Sequence, residues 1–242
     1  MSNSHTRRAS KDELAFLRQA SLMLELPTST WATGTVLFHR YCKYVTRSRS
    51  AEPLDPHVCL ILCIYLATKV TEEPRKQRDM INVGHKLTNP DTDEPLAGTT
   101  FDKLRETLTK SELVLMRALG FDVNVELPHA WIANIVYGMA WWDNNAEPPR
   151  DTDMIDARIK QVAGFAWRVA NQAVEAGLVD CEPARILAAA CIVLAMEAYS
   201  EPLPARDLDQ WADIWARTTD KRITSVCKLI NSNVNITEIE RE

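Results

Sequence analysis

The stretch CLILCIYLATKVTEEP, residues 59 to 74, decides the fold. Lys69 is its one charge before the acidic end, and no turn residue interrupts the apolar run until Pro74. Such a run is typical of a helix that is buried on every side. On a helical wheel Lys69 shares a face with Leu62 and Tyr65. We therefore predict a core helix whose last turn presents a charged side chain.

A second stretch also combines an apolar helical row with a charged residue, here of the opposite sign. It is TFDKLRETLTKSELVLMRALGFDV at residues 100 to 123. Glu112 interrupts a row of apolar residues at helical spacing, which are Phe101, Leu108, Leu115 and Leu119. Two interpretations stay open. Lys69 and Glu112 satisfy each other or extend to water, or both belong to an apolar surface that binds a partner.

Composition favours an all-helical protein. The chain has 242 residues, of which 46% are hydrophobic and only seven are glycine. This suffices for one large or two small folded units with few tight turns. The formal net charge is −5, with both signs mixed along the chain, and no apolar stretch approaches the roughly 20 residues that span a bilayer. We expect neither direct nucleic-acid binding nor a membrane role.

The six cysteines lie mainly in apolar runs and follow no signal peptide. We expect reduced core thiols in an intracellular protein, nuclear or cytoplasmic. Cys59 and Cys63 are four residues apart, but no matching histidine pair accompanies them. We therefore predict no metal site.

The sequence offers no catalytic constellation. The five histidines are isolated, and G-x-G-x-x-G, G-x-x-x-x-G-K-[ST] and H-E-x-x-H motifs are absent. We predict that the chain is not an enzyme and binds no cofactor or small-molecule ligand. The tryptophans suit core packing better than base stacking: Trp131, Trp141, Trp142, Trp167, Trp211 and Trp215. A basic cluster is a weak candidate for partner contact beside the default of a solvated helix end: Arg40, Lys43, Arg47 and Arg49.

An internal repeat divides the chain. Cys63-Ile64-Tyr65-Leu66-Ala67 returns as Cys191-Ile192-Val193-Leu194-Ala195, and Glu73-Pro74 returns as Glu201-Pro202, both displaced by 128 residues. Any two buried helices that end in Glu-Pro look alike, so coincidence is the alternative to duplication. The position that matches Lys69 holds Glu197. The lysine is therefore not needed by the shared helix, which favours a function specific to the first half.

The two charged helices resemble the kinase-facing helices of a cyclin box. The matching features are a lysine after an L-A-x run, in Leu66-Ala67-Thr68-Lys69, and a glutamate nine residues before Phe121-Asp122. The resemblance covers residues 12 to 231 approximately, and ATGTVLFHRY at 32 to 41 is similar to the second helix of transcription-type cyclins. It implies an all-α fold of two tandem cyclin boxes of five helices each, after a short N-terminal tail.

The resemblance also implies domain limits, a partner and a binding site. It implies a disordered tail at 1–10, a kinase-binding box at 11–125, a second box at 126–235 and a tail at 236–242. The chain would bind and activate a cyclin-dependent Ser/Thr kinase as a heterodimer. The segment QRDMINVGHKLTNPDTDEPL at 77 to 96 resembles one subfamily, whose partner is the kinase numbered ten. The implied kinase-binding residues are Leu66, Lys69, Val70, Glu72, Glu112, Met116, Phe121 and Val123.

The sequence departs from the cyclin pattern at two positions near the lysine. Thr71 stands where an acid is usual and Thr68 where a smaller residue is common, which puts the partner preference in doubt. Two alternatives remain: another transcription-type cyclin with a different kinase, or a cyclin-box adaptor of the transcription machinery that resembles transcription factor IIB. The negative charge and the missing zinc-ribbon cysteines disfavour the adaptor.

Overall fold

The computed structural model describes residues 9–48, 52–91, 96–142 and 157–236, and the secondary structure within these ranges is helical. Most of the predicted tails, residues 1–8 and 237–242, lie outside them. The helices are α1 (Lys11–Met23), α2 (Thr28–Arg47), α3 (Pro56–Val70), α4 (Gln77–Thr88), α5 (Gly98–Ala118), α6 (Pro128–Trp142), α7 (Ala157–Glu175), α8 (Ala184–Ala198), α9 (Leu208–Ala216) and α10 (Asp220–Asn233).

These helices form two units. The first unit, Met1–Val125, contains α1 to α5, and the second unit, Glu126–Glu242, contains α6 to α10. The prediction of an all-α fold with five helices in each half is confirmed.

The apolar helix α3 is the centre of the first unit. It begins at Pro56 because the Asp55 carboxylate accepts a hydrogen bond from the Val58 amide at 3.0 Å, which caps the helix. It then packs against α1, α2, α4 and α5. Gly34 of α2 lies against its backbone, and an added Cβ would meet Cys63 O and Ile64 Cα at 3.4 Å. The small residue thus lets α2 approach α3 closely.

The second unit repeats this plan around α8, which packs against α6, α7, α9 and α10. The bounds of α8 are those of α3 displaced by 128 residues. The two helices also end alike. Glu72 after α3 and Ser200 after α8 have φ of 58° and 54°, and the next amide closes the last turn: Glu73 N bonds Thr68 O, and Glu201 N bonds Met196 O, both at 2.9 Å. The Glu-Pro repeat marks a shared helix ending.

Two sequence expectations about the core need correction. Five cysteines are buried, but Cys181 is exposed because it lies in the turn between α7 and α8. Trp211 is fully buried, whereas Trp167 is 36% exposed and rests edge-on against His129 at a centroid distance of 4.6 Å. The side chains of Trp141 and Trp142 lie outside the described set.

Candidate partner-binding site

The structure brings Lys69 and Glu112 together. Lys69 Nζ, in the last turn of α3, donates to Glu112 Oε1 on α5. The ammonium also lies 4.1 Å from the ring centroid of Tyr65, a cation–π contact. The two side chains remain 41% and 26% exposed. An ion pair this exposed contributes only ~0–1 kcal/mol to folding, so the fold places the pair at the surface without depending on it.

Packing of α5 on α3 sets the position of Glu112. Leu108, Leu115 and Leu119 are buried in the core of the first unit, and Phe101 packs against it partly buried. Glu112 lies within this row at helical spacing, on the side of α5 that packs against α3, and its side chain stays 26% exposed. The predicted apolar row is thus present, and its one charge meets the one charge of α3.

Apolar side chains border the pair. Val70 and Met116 are half-buried. Leu113, next to Glu112, is 47% exposed, and on the helical wheel it neighbours Met116. Leu113 was not among the predicted site residues. The available signal was an apolar residue outside the inward row of an amphipathic helix.

Two other predicted site residues, Leu66 and Glu72, differ in their exposure to a partner. Leu66 is 5% exposed and belongs to the core, so it supports the surface from below. Glu72 is exposed and follows the C-cap Thr71 with a left-handed backbone. A non-glycine residue in this conformation carries a steric cost of about 1 kcal/mol.

The predicted residues Phe121 and Val123 lie just after α5. Gly120 and Phe121 have φ of 62° and 61°, and Phe121 N bonds Met116 O at 2.9 Å, which turns the chain sharply. The turn leaves Phe121 60% exposed while Val123 packs against the core partly buried. The ring of Phe121 is therefore accessible to a partner, as the prediction requires.

Arg40 of α2 fixes this segment. Its guanidinium donates to the backbone carbonyls of Asp122 at 3.5 Å and Asn124 at 2.9 Å. The sequence placed Arg40 in a basic cluster as a partner-contact candidate, but the structure uses it within the fold. Arg40 thereby holds in position the segment that contains Phe121 and Val123.

Two further contacts hold the end of α3. Arg75 donates to Leu24 O and Glu25 O, each at 3.1 Å, and so joins the turn after α3 to the end of α1. The hydroxyls of Thr30 and Thr71 are 2.7 Å apart. Thr71, the departure noted in the sequence, therefore has a structural partner in α2. Sequence reasoning missed both contacts.

Within the described ranges, no helix is long and apolar enough to cross a membrane, and no group of three or more His, Cys, Asp or Glu residues is placed to bind a metal. The surface at Lys69 and Glu112 carries one ion pair, with Val70 next to the lysine and Met116 one helical turn after the glutamate.

Comparisons with known proteins relate the whole chain to other sequences and folds. No family model matches the chain. It is 29% identical over 215 residues to Cyclin-L1 of Homo sapiens, covering 87% of this chain and 37% of that protein. It is 28% identical over 235 residues to Cyclin-L2 of Homo sapiens, covering 93% and 41%. These matches support the cyclin family. The chain spans about two fifths of the length of these curated relatives.

Solved structures show the cyclin-like fold. A chain of the yeast RNA polymerase II CTD kinase CTDK-1 complex superposes with a TM-score of 0.70 at 17% identity, over 95% of this chain and 67% of that chain. A chain of the Chaetomium thermophilum CAK complex bound to ATP-γ-S gives a TM-score of 0.62 at 17% identity, over 95% and 63%. The tandem cyclin boxes predicted from the sequence are consistent with both matches.

Proposed function

We propose that this chain is a regulatory subunit that binds and activates a cyclin-dependent Ser/Thr protein kinase. The observation that carries the proposal is the exposed Lys69–Glu112 pair, with the half-buried Val70 next to the lysine and Met116 one helical turn after the glutamate. The curated relatives of this chain are named cyclins. The catalytic residues and ATP would belong to the kinase, and this chain would carry out no chemistry.

The site would act on a kinase helix that has two positions. Apolar contact with Met116, Phe121 and Val123 would supply most of the buried area, and Lys69 and Glu112 would bind the end of that helix through charged hydrogen bonds. A kinase helix held in this way brings its glutamate to the β3 lysine and assembles the phosphoryl-transfer site. The ion pair within this chain keeps both charges in position before the partner arrives.

The partner preference belongs to the same proposal. The RDxINV segment within residues 77–96 resembles cyclin Q, also called cyclin M, which implies the kinase numbered ten. The curated relatives are L-type cyclins, which favours a transcription-type cyclin in general. A different kinase partner is therefore the first alternative. Nuclear placement would follow from either choice.

The non-kinase adaptor is the second alternative, and it makes a different demand on the surface. A nucleic-acid adaptor needs a basic face, whereas the formal net charge here is −5. Binding of DNA or RNA with a steep loss of affinity in added salt would support the adaptor. A weak, salt-independent signal would exclude it.

The test is co-expression with a panel of cyclin-dependent kinases, purification on this chain, and measurement of the recovered kinase and of its activity on a generic Ser/Thr substrate. Selective recovery of active kinase ten is the expected result. Recovery of another active kinase would keep the regulatory function and change the partner. Recovery of no kinase would contradict the proposal.

A further inference from the structure

The second unit contains a surface cavity of about 380 Å³, widely open to solvent, at the C-terminal ends of α8 and α10. Its volume lies toward the lower end of the range for ligand-binding sites. The lining combines aliphatic, amide and carboxylate groups, which come from Leu194, Glu197, Ala198, Asn231, Val234, Asn235 and Ile236. This mixture can contact an apolar side chain, a peptide backbone and a cation at once.

The cavity lies at the place in the second unit that corresponds, through the repeat, to the candidate kinase site of the first unit. Leu194, Glu197 and Ala198 lie in α8 at the positions that Leu66, Lys69 and Val70 hold in α3. The lysine of the first unit is thus replaced by a glutamate. The same turn of the repeated helix presents the opposite charge.

Glu197 differs from Lys69 in its neighbours as well. Lys69 is neutralised by Glu112, whereas the Glu197 carboxylate, which is exposed, has no hydrogen bond or ion pair with the residues that the structure describes. Its charge acts on α10, where it adds to the effect of burial in raising the pKa of the Cys227 thiol to about 12. Because none of the described residues pairs with Glu197, its charge is available to a cation of a partner.

The two units also differ in net charge, and the second unit, like its Glu197, is the negative one. The second unit has 11 Lys and Arg residues against 18 Asp and Glu, a formal charge of −7. The first unit has 17 against 15, a formal charge of +2. A negative field around the second unit attracts basic segments and repels nucleic acid.

We propose that this cavity binds a basic segment of a partner protein. An aliphatic side chain of the segment enters between Leu194 and Val234, and an adjacent Lys or Arg pairs with Glu197. The Asn231 amide is available to hydrogen-bond the peptide backbone of the segment. This inference concerns the second unit and does not depend on kinase binding by the first.

The test measures fluorescence anisotropy of labelled peptides with the purified full chain. The three peptides are GSKRLLKRGS, GSKRSSKRGS and GSEELLEEGS. We expect the first to bind about tenfold more tightly than either of the others, because it alone offers both the cation and the aliphatic side chain. Equal binding of the first two would contradict an apolar subsite, and no binding of the first would contradict the whole proposal.

Two variants of equal charge locate the binding. Glu197→Lys and Asp213→Lys both reverse an exposed carboxylate of the second unit, but Asp213 on α9 does not line the cavity. We expect Glu197→Lys to weaken the first peptide by about tenfold and Asp213→Lys by less than about twofold. Equal losses would mean that only the net charge attracts the peptide.

A third variant and a mass measurement complete the test. Ala198→Phe fills the cavity from an exposed position, so it should abolish the preference for GSKRLLKRGS over GSKRSSKRGS; an unchanged preference would contradict the assignment. Light scattering after size exclusion should show one monomeric species. A dimer that Glu197→Lys dissociates would mean that a second copy occupies the cavity, which would also overturn the proposal.

Discussion

At the level of single residues, Lys69 and Glu112 can serve both the fold and the binding of a partner. Lys69 and Glu112 satisfy each other, as the structural interpretation of the sequence expected, yet both remain accessible. The two interpretations are therefore compatible at this site. What separates them is whether removal of one charge affects the fold or the partner.

We expect Lys69→Ala and Glu112→Ala each to weaken kinase binding by about tenfold, since a charged hydrogen bond to the partner would be lost. Thermal unfolding should change little, because an exposed ion pair contributes only ~0–1 kcal/mol. Lys110→Ala is the matched control, since it removes another exposed pair of α5, that of Lys110 with Glu106 at 2.6 Å. Large losses of melting temperature with intact kinase binding would make the first pair purely structural.

Glu72 offers a second test at the residue scale. Its φ of 58° suits glycine better than glutamate. Glu72→Gly should therefore raise the free energy of unfolding by about 0.5–1 kcal/mol in urea denaturation. The same variant should lose kinase affinity if Glu72 contacts the kinase, and unchanged affinity would remove it from the proposed site.

His129 makes the stability of the second unit depend on pH. It is buried, and burial lowers its pKa although a bond to Asn171 at 2.9 Å opposes the shift. Between the lowered pKa of folded His129 and pH ~6.5, the unfolded chain binds a proton that the folded histidine does not bind. The contribution of neutral His129 to the free energy of unfolding is therefore complete above pH ~6.5 and is lost as pH falls below that value.

We expect the free energy of unfolding to decrease between pH 7 and pH 5.5, and the decrease to be smaller in His129→Gln. Urea denaturation at several pH values measures both curves. Parallel curves for the two proteins would assign the pH dependence to other groups.

Helices show which features a sequence can reveal. The buried runs of α3 and α8 and their Glu-Pro endings were visible, because apolar length and a turn signal are local properties. The roles of Arg40 and Arg75 were not, because a guanidinium bound to carbonyls of another helix needs the tertiary fold. Leu113 was missed because its exposure depends on which face of α5 meets α3.

The contact of α2 with α3 gives a prediction for packing. Gly34→Leu should destabilise the first unit by about 1–3 kcal/mol, since the new side chain must displace the backbone of α3. Gly164→Leu in α7 is the control, because beyond its own helix backbone no atom of the described residues lies within 4 Å of its added Cβ. Chemical denaturation compares the two, and an equal effect at both positions would contradict the close approach at Gly34.

At the scale of the whole molecule, composition favours an all-α fold and the cyclin-box resemblance implies five helices in each half, and the structure confirms both. The proposed kinase surface is harder to derive, because the exposure of Phe121 and the burial of Leu66 arise from one turn and one packing contact. The cavity at Glu197 was equally hidden. Its residues come from the ends of two helices that are distant in sequence.

Thiol reactivity reports on both units together. Cys181 is exposed, while the other five cysteines are buried, and burial raises the pKa of the Cys63 and Cys191 thiols. With a disulfide reagent at pH 8, we expect one fast thiol in the native chain, absent in Cys181→Ser, and all six after denaturation. Several fast thiols in the native chain would contradict the packing described for α3 and α8.

A charge swap, Lys69→Glu combined with Glu112→Lys, shows whether these two charges bind the kinase or only each other. The swap preserves an ion pair between α3 and α5 but reverses the charges that a partner meets. Its affinity for the kinase recovered from the panel should be measured beside its melting temperature. We expect a melting temperature within about 2 °C of the natural protein and an affinity at least about tenfold weaker. An equally stable swap that binds and activates the kinase as well as the natural protein would contradict the proposed role of the two charges.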